Sequence, residues 1–475
     1  MHHLVHCPVR PKILFCAGLL FLCARLPAQS QPVEAVKIQL DPQMVVSHIA
    51  PDFIGFGYES SAVAQTNYFS GKNATLVKLY RNLSTNGLIR IGGNVSDRTK
   101  YDPRGISVVN SQRAVTVINR TNLENLGGFV RATGWRVMWG LNLSTGTKEE
   151  AVTEAVAVAS ALGGQLQSFQ IGNEVEGIPR LKHHYDTYHA FYLDFKSGIR
   201  SVLTNAPFSG PDSVGNWIWI TIFASNESGD IKFLTHHYYR GGAGDSATTL
   251  EKLLTHDDHW DKRLEQLQQL SQDCGVPYRI NEVNSFSGGG KPGVSDVFGS
   301  ALWALDYMFI LAAHGCAGIN LQTDINHLAW ISYYSPIVHE ATGYCTTRPE
   351  YYGILAFSLA GKGDLLKLNL AKGDLNLSAY ATRENKGYIW VTVINKDEAR
   401  DAQVEISMPR GFSRAGVDRL VAPSIISKDQ VTFAGAKVSA KGTWTPKSPA
   451  KLAVTDGLAL LQVPHASAAL VLLQP

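Results

Sequence analysis

The feature that most constrains the fold is an alternation of strand-like and helix-like segments that repeats eight times between residues 50 and 360. The strand-like segments are short and mostly apolar, as expected for strands that are covered on both faces. They are residues 53–59, 88–93, 136–142, 166–174, 207–212, 233–239, 277–282 and 318–324. Eight such units in succession predict an α/β fold, a (β/α)8 TIM barrel with its helices on the outside.

Two of the helices between these strands carry clear boundary signals. Thr147 and Glu150 have the spacing of a capping box, and Gly163 and Gly164 end the alanine-rich stretch that follows. A second helix is predicted to begin at Ser295 and to end near Gly315. The fifth unit is the least regular, because prolines bracket its very short strand at positions 207 and 211.

The pattern changes after Gly361, where short alternating runs separated by turn residues replace the strand-helix units. These runs are residues 375–381, 387–393, 402–407, 431–433, 458–463 and 468–473. Such a series predicts a β-sandwich. We expect an early strand at residues 36–40 to join it. The predicted organisation is therefore an N-terminal strand within residues 29–45, a catalytic barrel at 46–361 and a β-sandwich domain at 362–475.

Residues 1–28 have the features of an export signal. Arg10 and Lys12 precede an apolar stretch at 13–22, and Leu26-Pro27-Ala28 provides a cleavage site. The stretch is shorter than the roughly 20 apolar residues that a membrane-spanning helix needs. We therefore expect a secreted or periplasmic protein that is not attached to a membrane once the signal peptide is removed.

The charge of the mature chain is balanced. The whole chain has 43 basic and 40 acidic residues, and the signal peptide contains three of the basic ones and no acid. A neutral surface gives no reason to expect nucleic acid or an anionic membrane as a partner, and we expect a monomer. Cys274, Cys316 and Cys345 remain after cleavage, which permits at most one internal disulfide. Their spacing does not match a metal site, so we expect no metal and no cofactor.

Polar residues end nearly every predicted strand, and this edge is where barrels of this type carry their active sites. In chain order they are Glu59, Asn94, Asn142, Asn173 with Glu174, Asp212, His236 with His237 and Tyr238, Glu282, and Gln322 with Asp324. Glu174 and Glu282 stand out, because two carboxylates across a barrel mouth suit glycosidic cleavage. One donates a proton to the leaving oxygen, and the other attacks the anomeric carbon or activates water.

Spacing alone does not settle that assignment. The chain has 40 acidic residues, and strand alternation puts Glu176 on the same side as Glu174. Two other kinds of site are disfavoured. The paired histidines, His183-His184 and His236-His237, do not form a His-Glu-x-x-His pattern, and the triple glycine at 288–290 lacks the ending of a P-loop.

Several blocks, in order along the barrel, resemble glycoside hydrolase family 79, the family of heparanase and of microbial β-glucuronidases. They are Gly-Leu-Ile-Arg-Ile-Gly-Gly-Asn at 87–94, Gly-Asn-Glu at 172–174, Gly-Pro-Asp at 210–212, His-His-Tyr-Tyr at 236–239, and Asn-Glu-Val-Asn-Ser-Phe-Ser-Gly-Gly-Gly at 281–290. Tyr334 and the pair Tyr351-Tyr352 continue the likeness. The glutamate-to-triple-glycine block and His-His-Tyr-Tyr are the more specific of these, whereas Asn-Glu alone is common.

The resemblance implies that Glu174 is the acid/base and Glu282 the nucleophile of a retaining reaction, which leaves Glu176 without a catalytic role. It implies that the other polar positions that match the family pattern bind the sugar. Asn173 would hold the 2-hydroxyl, Glu59 and Asn94 other hydroxyls, and Ser287, Gly288, Gly289 and Tyr334 the carboxylate. We also assign His237 and Tyr238 to substrate binding. Heparanase has a tyrosine where this chain has Ser287, so Ser287 would contribute its backbone N–H.

The expected function is that of an exo-acting β-glucuronidase on a glucuronide or glucuronic-acid-bearing glycan. One alternative is an endo-acting hydrolase like heparanase or a hyaluronidase, and another is a carbohydrate-binding barrel without activity. Two further expectations concern the site. The charge of Glu282 should raise the pKa of Glu174. An apolar loop at 325–336, with Leu328, Ala329, Trp330 and Ile331, should close one side of a pocket.

Overall fold

Eight parallel strands form the barrel that the sequence predicts. The computed structural model describes residues 33–109, 115–325, 332–339, 345–384 and 387–475. In chain order the barrel strands are Gly55–Glu59, Leu88–Gly92, Arg136–Leu141, Leu166–Ile171, Gly210–Val214, Leu234–Tyr239, Tyr278–Asn284 and Ile319–Thr323. Each pairs with its neighbour in the sequence, and the eighth pairs with the first. A bridge between Phe169 and Phe208 joins the fourth and fifth strands and completes the ring.

The fifth strand is displaced from its predicted position, 207–212, to Gly210–Val214. The N–H of Phe169 donates to the carbonyl of Pro207, and the N–H of Ser209 donates to that of Phe169. Residues 207–209 therefore close the barrel before the regular strand begins. The strand then continues past its predicted end, because Ser213 and Val214 pair with the sixth strand.

Helices cover the outside of the barrel. They are Ser61–Ala64, Ala74–Leu83, Arg120–Thr133, Lys148–Leu162, Tyr185–Val202, Trp217–Glu227, Leu250–Leu254, Asp258–Cys274, Phe298–Ala313 and Pro349–Ala360. The capping box of Thr147 and Glu150 is present, and the helix ends at Gly163 as predicted. The helix expected from Ser295 begins three residues later at Phe298. Its start is delayed because the side chains of Ser295 and Asp296 accept hydrogen bonds from the preceding turn.

The remaining strands form a β-sandwich beside the barrel. They are Val33–Ile49, Gly363–Ala371, Leu377–Arg383, Ile389–Asn395, Asp401–Ser407, Arg414–Val421, Thr432–Phe433, Ala450–Leu452, Val454–Thr455, Leu458–Val463 and Ser467–Gln474. Val33–Ile49 lies inside this sheet, antiparallel to Gly363–Ala371 and parallel to Asp401–Ser407. Apolar side chains from strands on both sides of it, such as Val391 and Ile406, share one core. Four short strands complete the fold at the barrel mouth: Thr99–Tyr101 pairs with Thr116–Ile118, and Ile337–His339 pairs with Cys345–Thr347.

The barrel and the sandwich share a buried polar contact. Asp306 lies on a barrel helix, and its carboxylate is 2.5 Å from Lys396 Nζ and 2.7 Å from the Tyr380 hydroxyl of the sandwich. A hydrophobic core surrounds this contact and runs from the barrel wall to the sandwich, with Phe357 and Trp390 on its two sides. No disulfide joins Cys274, Cys316 and Cys345 within the described ranges. No helix in those ranges is long and apolar enough to cross a membrane.

Candidate active site

A cavity of about 690 Å³ opens at the carboxyl ends of the barrel strands. This is the size of pocket that holds a small-molecule ligand. Eight of the residues selected from the sequence line it: Glu59, Asn94, Glu174, Glu282, Ser287, Gly288, Gly289 and Tyr334. The cavity also contains residues that the site assignment omitted, among them Arg98, Tyr239, Gln322 and Asp324. Gln322 and Asp324 could have been selected, because both lie at the carboxyl end of the eighth predicted strand.

Glu174 and Glu282 face each other across this cavity. Glu174 follows the fourth strand in a left-handed backbone conformation, with φ of 43°, which is uncommon for a residue other than glycine. Glu282 lies within the seventh strand and is 6% exposed. A carboxylate oxygen of Glu174 lies within 4.8 Å of one of Glu282. Retaining glycosidases place their two carboxyl groups about 5–5.5 Å apart, whereas inverting ones keep them ~6.5–9.5 Å apart.

Glu282 receives hydrogen bonds from two sides. Arg90 Nη1 donates to Oε2 at 2.7 Å, and the Tyr239 hydroxyl donates to Oε1 at 3.0 Å. Both donors come from inward-facing positions, Arg90 on the second strand and Tyr239 on the sixth. They fix the orientation of the carboxylate and stabilise its negative charge.

His237 lies beneath the two glutamates and is fully buried. Its Nδ1 is 3.2 Å from Glu174 Oε1 and 3.8 Å from Glu282 Oε2, and its Nε2 is 3.1 Å from Asp212. Burial alone would lower the pKa of His237, but the charges of Asp212 and Glu282 raise it to about 10. The imidazole is therefore protonated at neutral pH and lies between three carboxylates.

This imidazolium reverses our expectation for Glu174. Burial favours the neutral carboxyl, yet the hydrogen bond and the charge of His237 lower the pKa of Glu174 below its ordinary value. The rise in the pKa of Glu174 that we expected from the charge of Glu282 is therefore wrong. Glu174 and His237 share one titratable proton, and this proton lies on the imidazole, which is therefore an imidazolium.

A network of buried polar side chains supports these groups from inside the barrel. Arg90 is fully buried and donates to Glu282, to Asp212 at 2.5 Å and to Asn173 at 2.5 Å. Asn173 in turn donates to Asn94 at 3.2 Å. Asp212 also accepts hydrogen bonds from Gln170 and Asn281. Asn173 is 2% exposed and lies behind the residues that line the cavity.

Two further carboxyl groups line the cavity near Glu282. Burial and the charge of Glu282 raise the pKa of Glu59 to about 8, although Glu59 accepts a hydrogen bond from the N–H of Val95 at 2.7 Å. Burial raises the pKa of Asp324 to about 6. A side chain at Gly93 would collide with Glu59, since a Cβ there would lie 2.3 Å from the carboxylate. At neutral pH Glu59 is an uncharged acid that can both donate and accept hydrogen bonds.

The glycine-rich loop brings backbone N–H groups to the opposite side of the cavity. Gly288 and Gly289 have φ of 79° and 89°, a conformation that favours glycine. Their N–H groups do not donate to any backbone carbonyl in the described residues. The expectation for Ser287 needs correction, because its N–H donates to the carbonyl of Gly241 at 2.8 Å and is already satisfied. Tyr334, 7% exposed, lines the cavity beside this loop.

Tyr238 does not reach the cavity, and its assignment to substrate binding is wrong. Its ring stacks on Trp260 with centroids 3.8 Å apart, and its hydroxyl donates to Asp257 at 2.6 Å. Side chains alternate along the sixth strand, so His237 and Tyr239 point inward while Tyr238 points toward the helices. His237 also needs correction: with no exposed surface, it positions the two glutamates from below and does not line the cavity.

Glu174, His237 and Glu282 offer three donor atoms within 4.8 Å of one another, which is close enough to hold a metal ion. Metal ligands must be deprotonated, however, and His237 has its pKa raised to about 10. A metal ion at this cluster would therefore have to displace the proton of His237.

Parts of the predicted site lie outside the described residues. Leu328, Ala329, Trp330 and Ile331 of the apolar loop are among them. Beside that loop, the N–H of Tyr333 donates to the carbonyl of Gly289. Arg240, which directly follows the sixth strand, pairs with Asp257 and donates to the carbonyl of Lys252.

Comparison with known proteins gives concordant results for both domains. Residues 376–470 match the model of the glycosyl hydrolase family 79 C-terminal beta domain. A β-glucuronidase from Aspergillus niger is 27% identical over 386 residues, covering 73% of this chain and 69% of that protein. A β-glucuronidase from Neurospora crassa is 23% identical over 376 residues, covering 68% and 66% of the two chains.

The fold has a solved counterpart along almost its whole length. The crystal structure of a 4-O-α-L-rhamnosyl-β-D-glucuronidase from Fusarium oxysporum superposes with a TM-score of 0.78 at 18% identity. The match covers 93% of this chain and 99% of that one. The C-terminal domain match, the two relatives and the shared architecture agree with the barrel motifs, and together they support the resemblance to glycoside hydrolase family 79.

Proposed function

We propose that this protein is a secreted, monomeric, retaining β-glucuronidase that removes terminal β-linked glucuronic acid by double displacement. The observation that carries the proposal is the approach of Glu174 and Glu282 within 4.8 Å across the cavity. The similarity to fungal β-glucuronidases supports the substrate class. Export rests on the signal features of residues 1–28, which lie outside the described ranges.

In the first step, a carboxylate oxygen of Glu282 attacks the anomeric carbon and the bond to the leaving oxygen breaks. Arg90 and Tyr239 hold Glu282 in place for this attack. Glu174 gives a proton to the leaving oxygen, which departs as an alcohol, and an ester joins the sugar to Glu282. In the second step, Glu174 takes a proton from water as the water oxygen attacks the anomeric carbon. The ester then breaks, and the sugar leaves with its original configuration.

His237 supplies the proton for the first step. Its Nδ1 is 3.2 Å from Glu174 Oε1, a distance across which a proton can move. A bound sugar excludes water from Glu174, and loss of water disfavours the carboxylate form. The proton therefore passes from the imidazole to Glu174 when the substrate binds, and Glu174 becomes the acid that the reaction requires.

The carboxylate of the sugar binds at the glycine-rich loop. The N–H groups of Gly288 and Gly289 and the Tyr334 hydroxyl provide donors there, and backbone N–H groups in such a loop bind anions well. Glu59, Asn94 and Asn173 face the hydroxyls on the other side of the ring. Glu59 suits this role because its neutral carboxyl can donate a hydrogen bond to a sugar oxygen.

The test uses 4-nitrophenyl β-glucuronide, whose leaving group needs no proton. The variant Glu174→Ala should form the glycosyl-enzyme and then stall, and added azide should release it as β-glucuronyl azide. Glu282→Ala should turn over slowly with or without azide. The matched control is Glu176→Gln, two residues from Glu174, whose carboxylate accepts a hydrogen bond from the N–H of Val214. This control should need no azide.

Two results would overturn the proposal. The first is an α-configured first product from the intact enzyme, because double displacement retains the β configuration. The second is the absence of any hydrolysis of aryl glucuronides by the intact enzyme, which would favour the carbohydrate-binding alternative.

A further inference from the structure

Arg98 is a positive charge at the active-site cavity that has no partner of its own. It ends the short helical turn Ser96–Arg98 after the second strand and lines the cavity. No carboxylate lies within ion-pair distance of its guanidinium in the part of the chain that the structure describes. Its Nε is buried without a hydrogen-bond partner. Guanidinium groups in such positions commonly bind carboxylates or sulfates.

The position of Arg98 places it on the leaving-group side of the cavity. Thr145 donates to the carbonyl of Asp97 at 2.7 Å, and Asn142 donates to that of Thr99 at 3.1 Å. Both donors follow the third strand, so the loop that carries Arg98 is held against that segment, and Asp97 beside Arg98 is close enough to Glu174 for their charges to interact. The glycine-rich loop and Tyr334 follow the seventh and eighth strands, on the far side of the mouth.

The leaving group must lie beside Glu174, because Glu174 protonates its oxygen. The carboxyl group of Asp97, next to Arg98 in the chain, neutralises the charge of Arg98 only in part. Burial raises the pKa of Asp97 to about 7, against the opposing charge of Arg98, and one oxygen of Asp97 is buried without a partner. Below that pH the charge of Arg98 is uncompensated by Asp97.

We infer that Arg98 binds an anionic substituent, a carboxylate or a sulfate, on the leaving group of the substrate. This inference rests on the proposed β-glucuronidase activity and narrows its substrate class. The substrate would carry negative charge on both sides of the scissile bond: the glucuronate carboxylate at the glycine-rich loop, and a second anion at Arg98.

The experiment compares three aryl glucuronides that share one ring system. Their leaving groups are 3-carboxy-4-nitrophenol, its carboxamide, and the 3-sulfo analogue. The carboxamide resembles the carboxylate in size and carries no charge. The ratio of kcat/KM for an anionic substrate to that for the carboxamide isolates the effect of charge. A charge-assisted hydrogen bond predicts a ratio on the order of tenfold or more in the intact enzyme.

Arg98→Gln should bring this ratio close to one, and Arg98→Lys should keep part of it. The matched control is Arg104→Gln, which removes the same charge from an exposed position in the next turn of chain. It should keep the ratio of the intact enzyme. High salt should reduce the ratio, since an exposed ion pair is screened. The anion with the larger ratio identifies the substituent as carboxylate or sulfate.

The inference is overturned if the intact enzyme shows a ratio of one or less for both anions. It is also overturned if Arg98→Gln lowers kcat/KM for the charged and neutral substrates by the same factor, which would place Arg98 in the sugar site. Failure of the β-glucuronidase proposal looks different, because then none of the three substrates is hydrolysed by the intact enzyme.

Discussion

Asp212 provides the sharpest test of the buried network, through the substitution Asp212→Asn. Its carboxylate is 1% exposed, accepts a hydrogen bond from Arg90 at 2.5 Å and lies 3.1 Å from His237. An asparagine would keep the shape but remove the charge between two buried cations. Its amide group would also face the donors of Gln170 and Asn281. Removing one partner of a buried ion pair costs about 3–5 kcal/mol, and we expect the free energy of unfolding to fall by that amount.

The pH dependence of this loss follows from His237. Its pKa rises from 6.5 to about 10 in the folded protein, which corresponds to about 5 kcal/mol between the protonated and neutral forms. Because the folded pKa is raised, protonated His237 contributes its full stabilisation below the unfolded pKa of 6.5. That contribution decreases as the pH rises and is lost as the pH passes 10. The charge of Asp212 contributes most to raising the pKa of His237. The stability difference between the intact protein and Asp212→Asn should therefore be largest near pH 6.5 and should narrow toward pH 10.

Urea unfolding followed by tryptophan fluorescence at these two pH values measures both effects. The matched control is Asp456→Asn, an exposed residue in a turn with φ of 50°, a conformation that asparagine also adopts. It should change the free energy of unfolding by less than about 0.5 kcal/mol. The reasoning fails if Asp212→Asn behaves like this control, or if the stability difference is the same at both pH values.

Three other predictions concern the cavity. The pKa of Glu59 is raised to about 8, so ionisation above that pH should place a second negative charge near Glu282 and lower kcat/KM; Glu59→Gln, which cannot ionise, should extend the kcat/KM profile to higher pH. An unchanged alkaline limb would show that another group controls it. Tyr334→Phe should lower kcat/KM for an aryl glucuronide much more than for the matching glucoside, because only the glucuronide presents a carboxylate to that hydroxyl. Equal losses, or equal activity of the intact enzyme on both substrates, would contradict a carboxylate site there. An exo-acting enzyme should release free glucuronic acid from the first minutes and scarcely shorten hyaluronan or heparan sulfate, whereas rapid formation of intermediate fragments would establish the endo-acting alternative.

Much of the barrel could be predicted because its strands are buried on both faces and so form apolar runs. Polar residues at the ends of those runs include Glu174, Glu282, Glu59 and Asn94, and all four line the cavity. The sandwich was harder to predict. The strand Gly363–Ala371 was missed because its consecutive leucines break the alternation, and Arg414–Val421 was missed because charged residues interrupt its apolar positions.

The site residues that were missed have a common physical reason. Arg90 lies inside an apolar strand, and nothing local shows that its guanidinium bridges carboxyl groups from the fifth and seventh strands. The choice between Tyr238 and Tyr239 depends on which residue of the sixth strand first points inward. That depends on its register with the neighbouring strands, which includes an irregularity between Ile280 and Glu282. A sequence motif gives the residue types, but the pairing of the strands decides which of those side chains point into the barrel.

The position of Val33–Ile49 has a consequence for synthesis and for engineering. This strand is made first among the described residues, yet both of its hydrogen-bonded neighbours come from the last third of the chain. During translation this strand stays unpaired until the whole barrel has been synthesised. Its pairing with the later strands joins distant parts of the chain, and such long-range pairing slows folding. A cut between residues 361 and 362 would thus give neither a free-standing barrel nor a free-standing sandwich. The first fragment would contain Val33–Ile49 without either of its partner strands, and the second fragment would lack this strand from the middle of its sheet. A circular permutant that moves this strand to the carboxyl terminus would let each domain mature in turn.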